Sequence, residues 1–384
     1  MGVRNEIGPE GAQLARLRLV ADDLTGALDT AAQFVAVSGP ISVCWRAVTA
    51  DRSIAFDTGA REQSGAEAAA LVAQRLAPTP FDPAALHYAK LDTLLRGHPA
   101  EEIAAWLRFG AFASCIMAPA FPHHGRITRE GRQYRRQDDA WTAVAADLTK
   151  DLERLALHVV ARRPGESAPS GISLWDAETN SDLDAIVAAA RGAPTPILWC
   201  GSGGLAAALA RSLGATPSGA ETCLARPVLG LFGSDQAVTA DQVEACGALA
   251  LTADDGGAAT SSDIAERLSR DGVALLRLAI AEGTPRHQAA EAIAREFGRL
   301  VRTITPPSTL LVAGGETLRA VCAALETDHL EHAGQIEPGV PRSIMRGGRF
   351  DGVHIISKSG AFGDRDLLRR LLARELHPTT GASR

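Results

Sequence analysis

The chain has 384 residues, 46% of them apolar and 22% charged, with a formal charge of −6. That length predicts two globular domains, each large enough to bury its own core. The charge supplies no broad basic field for nucleic acid or an anionic membrane, no apolar run reaches the ~18 residues that span a bilayer, and the opening MGVRNEIGPEGAQLARL lacks a signal-peptide core, so a cytoplasmic protein is expected.

Short β-type runs alternate with helical ones, which predicts an α/β chain of two domains, each a largely parallel sheet flanked by helices. Residues 17–21 (LRLVA) read as a strand that runs into Asp22-Asp23-Leu24-Thr25-Gly26 and a helix with the apolar stripe Leu28, Ala31, Ala32 and Val35. A second strand is predicted from Leu86 to Thr93. It leads through Arg96-Gly97 to a helix opened by Pro99, with Ile103, Trp106 and Leu107 facing inward. Residues 161–171 read as a surface loop, and 197–200 as a strand followed by a Gly-rich turn and helix. Small and turn residues over 214–227 mark a linker. The expected organisation is an extension over 1–16, a substrate domain over 17–213, the linker, a nucleotide domain over 228–376 and a tail over 377–384.

Three units of the second domain repeat the order strand, Gly-containing turn, helix: Gly233-Ser234, Gly314-Gly315-Glu316-Thr317, and Lys358-Ser359-Gly360-Ala361-Phe362-Gly363. Such turns present backbone N–H groups and helix N-termini to an anion, and parallel sheets gather them at the carboxyl ends of their strands. Ser234 and Thr317 add hydroxyls, and Lys358 is a candidate point charge against phosphate. Any one of these turns is equally explained by turn chemistry; three on one sheet edge point to a nucleotide. No G-x-x-x-x-G-K-[ST] sequence occurs, which excludes a P-loop kinase.

In the first domain, Asp22 and Asp23 end a strand, where one carboxylate can take a proton from a hydroxyl and the other can cap the helix. Which of the two is the base is left open, as is the alternative of two turn aspartates. Alternation along 90–97 places Lys90 and Asp92 on one strand face, with Thr93 and Arg96 following. Cations beside a carboxylate suit a hydroxy acid; an internal ion-pair network is the competing reading. Arg61 is either a carboxylate or phosphate clamp or an isolated surface arginine. His123-His124 has no acidic or cysteine partners of metal-ligand spacing, so no protein metal site is expected. The six cysteines form no C-x-x-C pair and read as reduced thiols.

Lysine occurs only at Lys90, Lys150 and Lys358, the other basic residues being arginine, and two of the three lie in these motifs. The segments ADDLTGALDTA (21–31), DTGAR (57–61), KLDTLLRG (90–97), PAFPHHGRITREG (119–131), GSDQAVTADQ (233–242), GGETLRA (314–320), IEPGVP (336–341) and KSGAFGDRD (358–366) together resemble the four-carbon acid sugar kinase family. The resemblance implies a sugar-acid N-terminal domain, a nucleotide-binding C-terminal domain and an active-site cleft between them. It places substrate contacts on the Asp22-Asp23 turn, Arg61 and Lys90 through Thr93, and nucleotide contacts on Ser234, Gly314 through Thr317 and Gly360. It implies ATP, with Mg²⁺ riding on its phosphates, as donor to the terminal hydroxyl of a tetronate such as D-threonate or D-erythronate, and leaves room for a homodimer.

The chain departs from the family pattern at Leu28, where Asn or Thr is common, and at Leu94, where a hydroxyl is common; each bears on substrate preference or turnover. Leu24, where the oxo-tetronate branch has Phe, favours the threonate and erythronate branch. Two rivals stand beside the kinase. One is a catalytically silent sugar-acid or nucleotide-binding relative. The other is a dinucleotide-dependent oxidoreductase built on Gly201-Ser202-Gly203-Gly204-Leu205-Ala206, which lacks the following strand with an acidic ribose ligand.

Overall fold

A computed structural model describes residues 16–46, 48, 52–137, 140–215, 224–233, 236–281, 283–337, 339–360 and 362–373. Contacts divide the chain into two compact units, 1–218 and 219–384. Of the boundary segments expected from sequence, 1–15, 216–223 and 374–384 lie outside the described residues, as does Ser234.

Unit one runs β1 (Leu17–Ala21), α1 (Leu24–Ser38), β2 (Ile41–Cys44), β3 (Ile54–Asp57), α2 (Gly65–Leu76), β4 (Leu86–Lys90), α3 (Pro99–Phe109) and β5 (Ser114–Ala118). It continues with β6 (Arg126–Arg129), β7 (Arg132–Gln137), β8 (Ala140–Ala143), α4 (Leu148–Arg154), β9 (Val159–Arg162), β10 (Gly171–Trp175), α5 (Asn180–Ala189), β11 (Ile197–Gly201) and α6 (Gly203–Ser212). The main sheet is parallel, in the order β2-β3-β1-β4-β11-β5-β10-β9. Its central strands are largely apolar and buried along their length, as a sheet covered on both faces requires. Helix α1 packs on α6 and α6 on α5, while α2 packs on α3 and α3 on α4.

These two helix groups cover opposite faces, so the chain leaves β1 and its neighbour β4 in opposite directions. In open α/β sheets that reversal opens a crevice at the strands' carboxyl ends. The antiparallel sheet β6-β7-β8 stands apart. It is tied to the loop after β4 by buried Gln133, whose Nε2 donates to Thr93 O at 2.9 Å and to Pro119 O at 3.3 Å.

Unit two runs β12 (Val228–Phe232), α7 (Ala237–Glu244), β13 (Ala250–Ala253), α8 (Ala258–Asp271), β14 (Val273–Leu278) and α9 (Arg286–Thr303). Then come β15 (Thr309–Ala313), α10 (Gly315–Ala324), β16 (His329–Glu337), β17 (Val340–Arg346), β18 (His354–Lys358) and α11 (Leu367–Ala373). Strands β13-β14-β12-β15-β18 are parallel, and β17 and β16 continue from β18 antiparallel. Helix α7 packs with α11, and α9 with α8 and α10, so a second reversal lies between β12 and β15.

One expected boundary is corrected. The strand predicted from Leu86 to Thr93 ends at Lys90: Leu91 N makes the last bond to β11, at Gly201 O, and Asp92 begins a tight loop, its side chain accepting from Leu94 N at 2.9 Å. Asp92 therefore does not share a strand face with Lys90. Its carboxylate is held by loop amides.

Candidate active site

Four segments of unit one meet at the β1/β4 crevice. Asp23 is the N-cap of α1, in extended conformation, with Oδ1 accepting from Gly26 N at 2.8 Å. Residue 26 has no side chain, and a Cβ there would stand 2.5 Å from Asp23 Oδ1 and 3.2 Å from Lys90 Nζ, so glycine lets β4's ammonium reach the head of α1. Lys90 is buried and donates to Leu91 O at 2.9 Å.

Arg61 follows β3 and closes on three aspartates. Nε and Nη2 donate to the two oxygens of Asp22 at 2.7 and 2.8 Å, and Nη1 donates to Asp23 Oδ2 at 2.8 Å. Nη2 also lies 3.5 Å from Asp92 Oδ1. The guanidinium is thus occupied by the protein's own carboxylates. Of the two readings of Arg61, the isolated surface arginine is corrected: the side chain is held by Asp22, Asp23 and Asp92 and sets their spacing. Burial opposes its charge, but Asp23, Asp22 and Asp92 outweigh burial and hold its pKa above the ordinary arginine value.

Arg96, half-exposed at its side chain, forks onto Asp92 with Nε–Oδ2 at 3.0 Å and Nη2–Oδ1 at 2.6 Å. Burial raises the Asp92 pKa, yet Arg96's hydrogen bonds and the charges of Arg61, Arg96 and Lys90 hold it well below the usual carboxylate range. Asp22 goes the other way. Burial, aided by Asp23, outweighs Arg61 and leaves its pKa raised. The loop between Asp92 and α3 needs Gly97 in the left-handed region, φ 77°, where a Cβ would come within 3.2 Å of Asp22 Oδ2.

In unit two, Gly314 (φ 97°) carries the chain from β15 into α10, and its N–H donates to Lys358 O at 3.0 Å. Thr317 is buried, with its hydroxyl 2.5 Å from where a Cβ of Gly233 would stand, so the β12 and β15 turns lie against each other. Glu316 is exposed in the first turn of α10. Gly360 is buried, and its carbonyl accepts from Thr239 Oγ1 at 2.6 Å.

Lys358 is likewise engaged by the protein's own groups. Its ammonium is buried and donates to Thr239 Oγ1 at 3.1 Å, Ser359 O at 3.0 Å, Phe362 O at 3.3 Å and Gly360 O at 3.4 Å. It ties the 358–362 loop to α7. Burial pushes its pKa down to about 8. Beyond the carboxyl ends of β13 and β14 lies a recess of about 230 Å³ whose walls include Asp254, Leu278, Ile280, Thr284, Ala292 and Glu296.

Two comparisons of sequence bear on these paired sites. A family model described as a sugar-binding N-terminal domain matches residues 17–150, and one described as a nucleotide-binding C-terminal domain matches 222–368. A D-threonate kinase of Bordetella bronchiseptica is 30% identical over 92% of this chain and 95% of its own, and a D-threonate kinase of Cupriavidus necator is 31% identical over 90% and 94%. The chain belongs to the four-carbon acid sugar kinase family. A solved Salmonella typhimurium LT2 protein, described provisionally as a tRNA synthase, superposes with a TM-score of 0.72 at 21% identity, covering 92% of this chain and 98% of that one; this likeness shows the shared fold alone.

As a four-carbon acid sugar kinase, the chain is a phosphotransferase with an alcohol acceptor. Unit one brings Asp22, Asp23, Arg61, Lys90, Asp92 and Arg96 together; unit two brings Gly314 through Thr317 and the Lys358–Gly360 turn to one sheet edge. The glycines of 201–206 serve packing. A Cβ on Gly203 would meet Asp29 Oδ2 at 2.8 Å and the Phe121 ring at 3.0 Å, and one on Gly204 would meet Ala120 O at 2.8 Å. That turn is filled by the protein itself, against the dinucleotide reading.

Three further residues lie beside this cluster in unit one. Glu102, in the first turn of α3, is buried, has Oε1 without a hydrogen-bond partner, and is pushed well up in pKa by burial and by Asp22. Its signal was legible: Pro99, Glu102, Ile103 and Trp106 fall on one helical stripe, with an acid among apolar residues. Asp29 on α1 also has an unpartnered buried oxygen. Arg126, inside the PHHGR turn, donates to His124 O and Gly125 O at 2.9 and 3.0 Å and feels the charges of Asp92 and Arg96. Arg135 is its cross-strand partner; like charges in that register repel, which favours an anion beside them.

Proposed function

We propose that this chain transfers the γ-phosphate of ATP to the terminal 4-hydroxyl of a four-carbon sugar acid of the D-threonate or D-erythronate type. The observation that carries the reading is the crevice in which Lys90, Arg96 and Arg126 surround Asp92 at the carboxyl ends of β1 and β4, in a chain about 30% identical to D-threonate kinases. A hydroxy acid needs cations for its carboxylate and hydrogen-bond acceptors for its hydroxyls, and both are present there.

In this reading Lys90, Asp92, Thr93 and Arg96 contact the sugar acid. Arg61 acts through the carboxylates it spaces, and the Asp22-Asp23 turn supplies negative charge beside the reacting hydroxyl. Gly314, Gly315, Thr317 and Gly360 offer backbone N–H groups or close approach to the triphosphate, with Ser234 completing the set. The recess beyond β13 and β14 has room for part of a nucleoside. Mg²⁺ would ride on the nucleotide phosphates, with Glu316 in the first turn of α10 the acidic residue of that turn. When bound it supplies charge neutralisation to the phosphates.

The test is purified protein with ATP, Mg²⁺ and a panel of tetronates, read as ADP release and as phosphorylated acid by mass. Turnover of D-threonate or D-erythronate is expected. ADP release with none of the panel would end the reading.

A further inference from the structure

We propose that Asp29 is the catalytic residue that takes the proton from the attacking hydroxyl, an assignment that rests on the kinase reading above. The three other aspartates of the crevice are already bonded. Arg61 occupies both oxygens of Asp22. Asp23 divides its oxygens between Gly26 N and Arg61. Asp92 accepts from two amides and from the fork of Arg96. A carboxylate so held already has lone pairs engaged by the protein's own donors.

Asp29 differs. It sits on α1 just past the turn that carries Asp22 and Asp23, partly buried, and its Oδ1 is buried with no hydrogen-bond partner among the described residues. Its Oδ2 stands 2.8 Å from the point a Cβ of Gly203 would occupy, and the Phe121 ring stands 3.0 Å from that point. Glycine at the head of α6 therefore lets the Asp29 carboxylate and the Phe121 ring pack closely against the first turn of that helix. Phe121 is backbone-bridged to Arg126, so that ring leads from Asp29 toward the cations suited to the substrate's carboxylate.

The charged and titratable groups around Asp29 are Lys90 and Tyr88 from β4 and Asp23 at the head of its own helix. Burial raises the Asp29 pKa, Lys90 lowers it and Asp23 raises it further, for a net rise. A general base works best when its pKa approaches the working pH, and an unpartnered polar atom inside a site calls for a function.

The chemistry balances without another reactant. The hydroxyl oxygen forms a bond to the γ-phosphorus as the bond from that phosphorus to the β–γ bridging oxygen breaks, its electron pair leaving on ADP. The hydroxyl proton passes to Asp29 and then to solvent.

Wild type, Asp29→Asn, Asp29→Glu and Asp23→Asn are compared by steady-state kinetics across pH, by calorimetric binding of the tetronate the wild type turns over, and by thermal melting. Asp29→Asn is expected to lower kcat about 10²–10⁴-fold, with tetronate binding within a few-fold of wild type and an unchanged or higher melting midpoint. The fall of kcat toward acid pH should vanish in Asp29→Asn and be displaced in Asp29→Glu. If Asp29→Asn keeps kcat within tenfold, or its residual activity retains the acid limb while Asp23→Asn loses it, the assignment is overturned. A wild type that turns over no tetronate overturns the kinase reading itself, and does so before any variant is compared.

Discussion

Arg61 grips Asp22 through two parallel hydrogen bonds, Nε to Oδ2 at 2.7 Å and Nη2 to Oδ1 at 2.8 Å, across 39 residues of sequence. The same guanidinium reaches Asp23 and Asp92, so one cation fixes the carboxylates of two strand ends. Arg61→Ala would leave buried carboxylates without their partner, at about 3–5 kcal/mol. At about 2–4 °C per kcal/mol for a domain of this size, the melting midpoint falls by about 6–20 °C. Arg61→Lys restores only part, since an ammonium does not present two parallel donors. A melting curve that does not move in Arg61→Ala would show that the network is not what holds these loops.

Gly97→Ala tests the loop between Asp92 and α3. The residue sits at φ 77°, and a Cβ there would press on Asp22 Oδ2 at 3.2 Å. Left-handed strain of about 1–3 kcal/mol is expected, together with displacement of Asp22. The sugar acid's kcat/KM should drop while nucleotide affinity stays as in wild type. Steady-state kinetics and nucleotide titration separate the two, and an equal loss in both would count against this loop belonging to the sugar-acid site.

Glu102→Gln probes the buried acid. Because the folded protein raises this pKa, it binds a proton that the unfolded chain has released, and stability falls as pH climbs from the ordinary glutamate value through the raised one. Glutamine carries no such penalty. The variant should therefore melt above wild type at pH 7–8 and match it near pH 4. Identical pH profiles for the two proteins would contradict the burial argument. Asp92 has the opposite sign: its lowered pKa contributes stability above the ordinary carboxylate value that is lost as pH falls, so Asp92→Asn should flatten the acid side of the melting profile.

Thr239→Val addresses unit two. The hydroxyl donates to Gly360 O at 2.6 Å and accepts from Lys358 Nζ at 3.1 Å in a fully buried position. Losing it removes the shorter of the two hydrogen bonds to that carbonyl and thins the shell of a buried ammonium, at about 1–3 kcal/mol. Nucleotide affinity should weaken and sugar-acid affinity should not. Calorimetry with each ligand alone decides it: an unchanged nucleotide Kd removes Gly360's loop from the nucleotide site.

Much of this protein is written locally. Short, largely apolar runs fixed β1, β12 and β15, and the capping chemistry of Asp23 and the proline at the start of α3 fixed where helices begin, because strand period, helix period and caps act over a few residues. The conjunction of motifs was enough to place the chain in its family. The pairing of Arg61 with Asp22, the inward turn of Lys358 and the end of β4 at Lys90 were decided only by the folded chain. So were the contrasting states of Asp92, held low by arginines, and of Asp29 and Glu102, left buried and unpaired at one oxygen each. The reason is electrostatic: a side chain's charge and availability depend on burial and on partners tens of residues away, and spacing along the sequence carries neither.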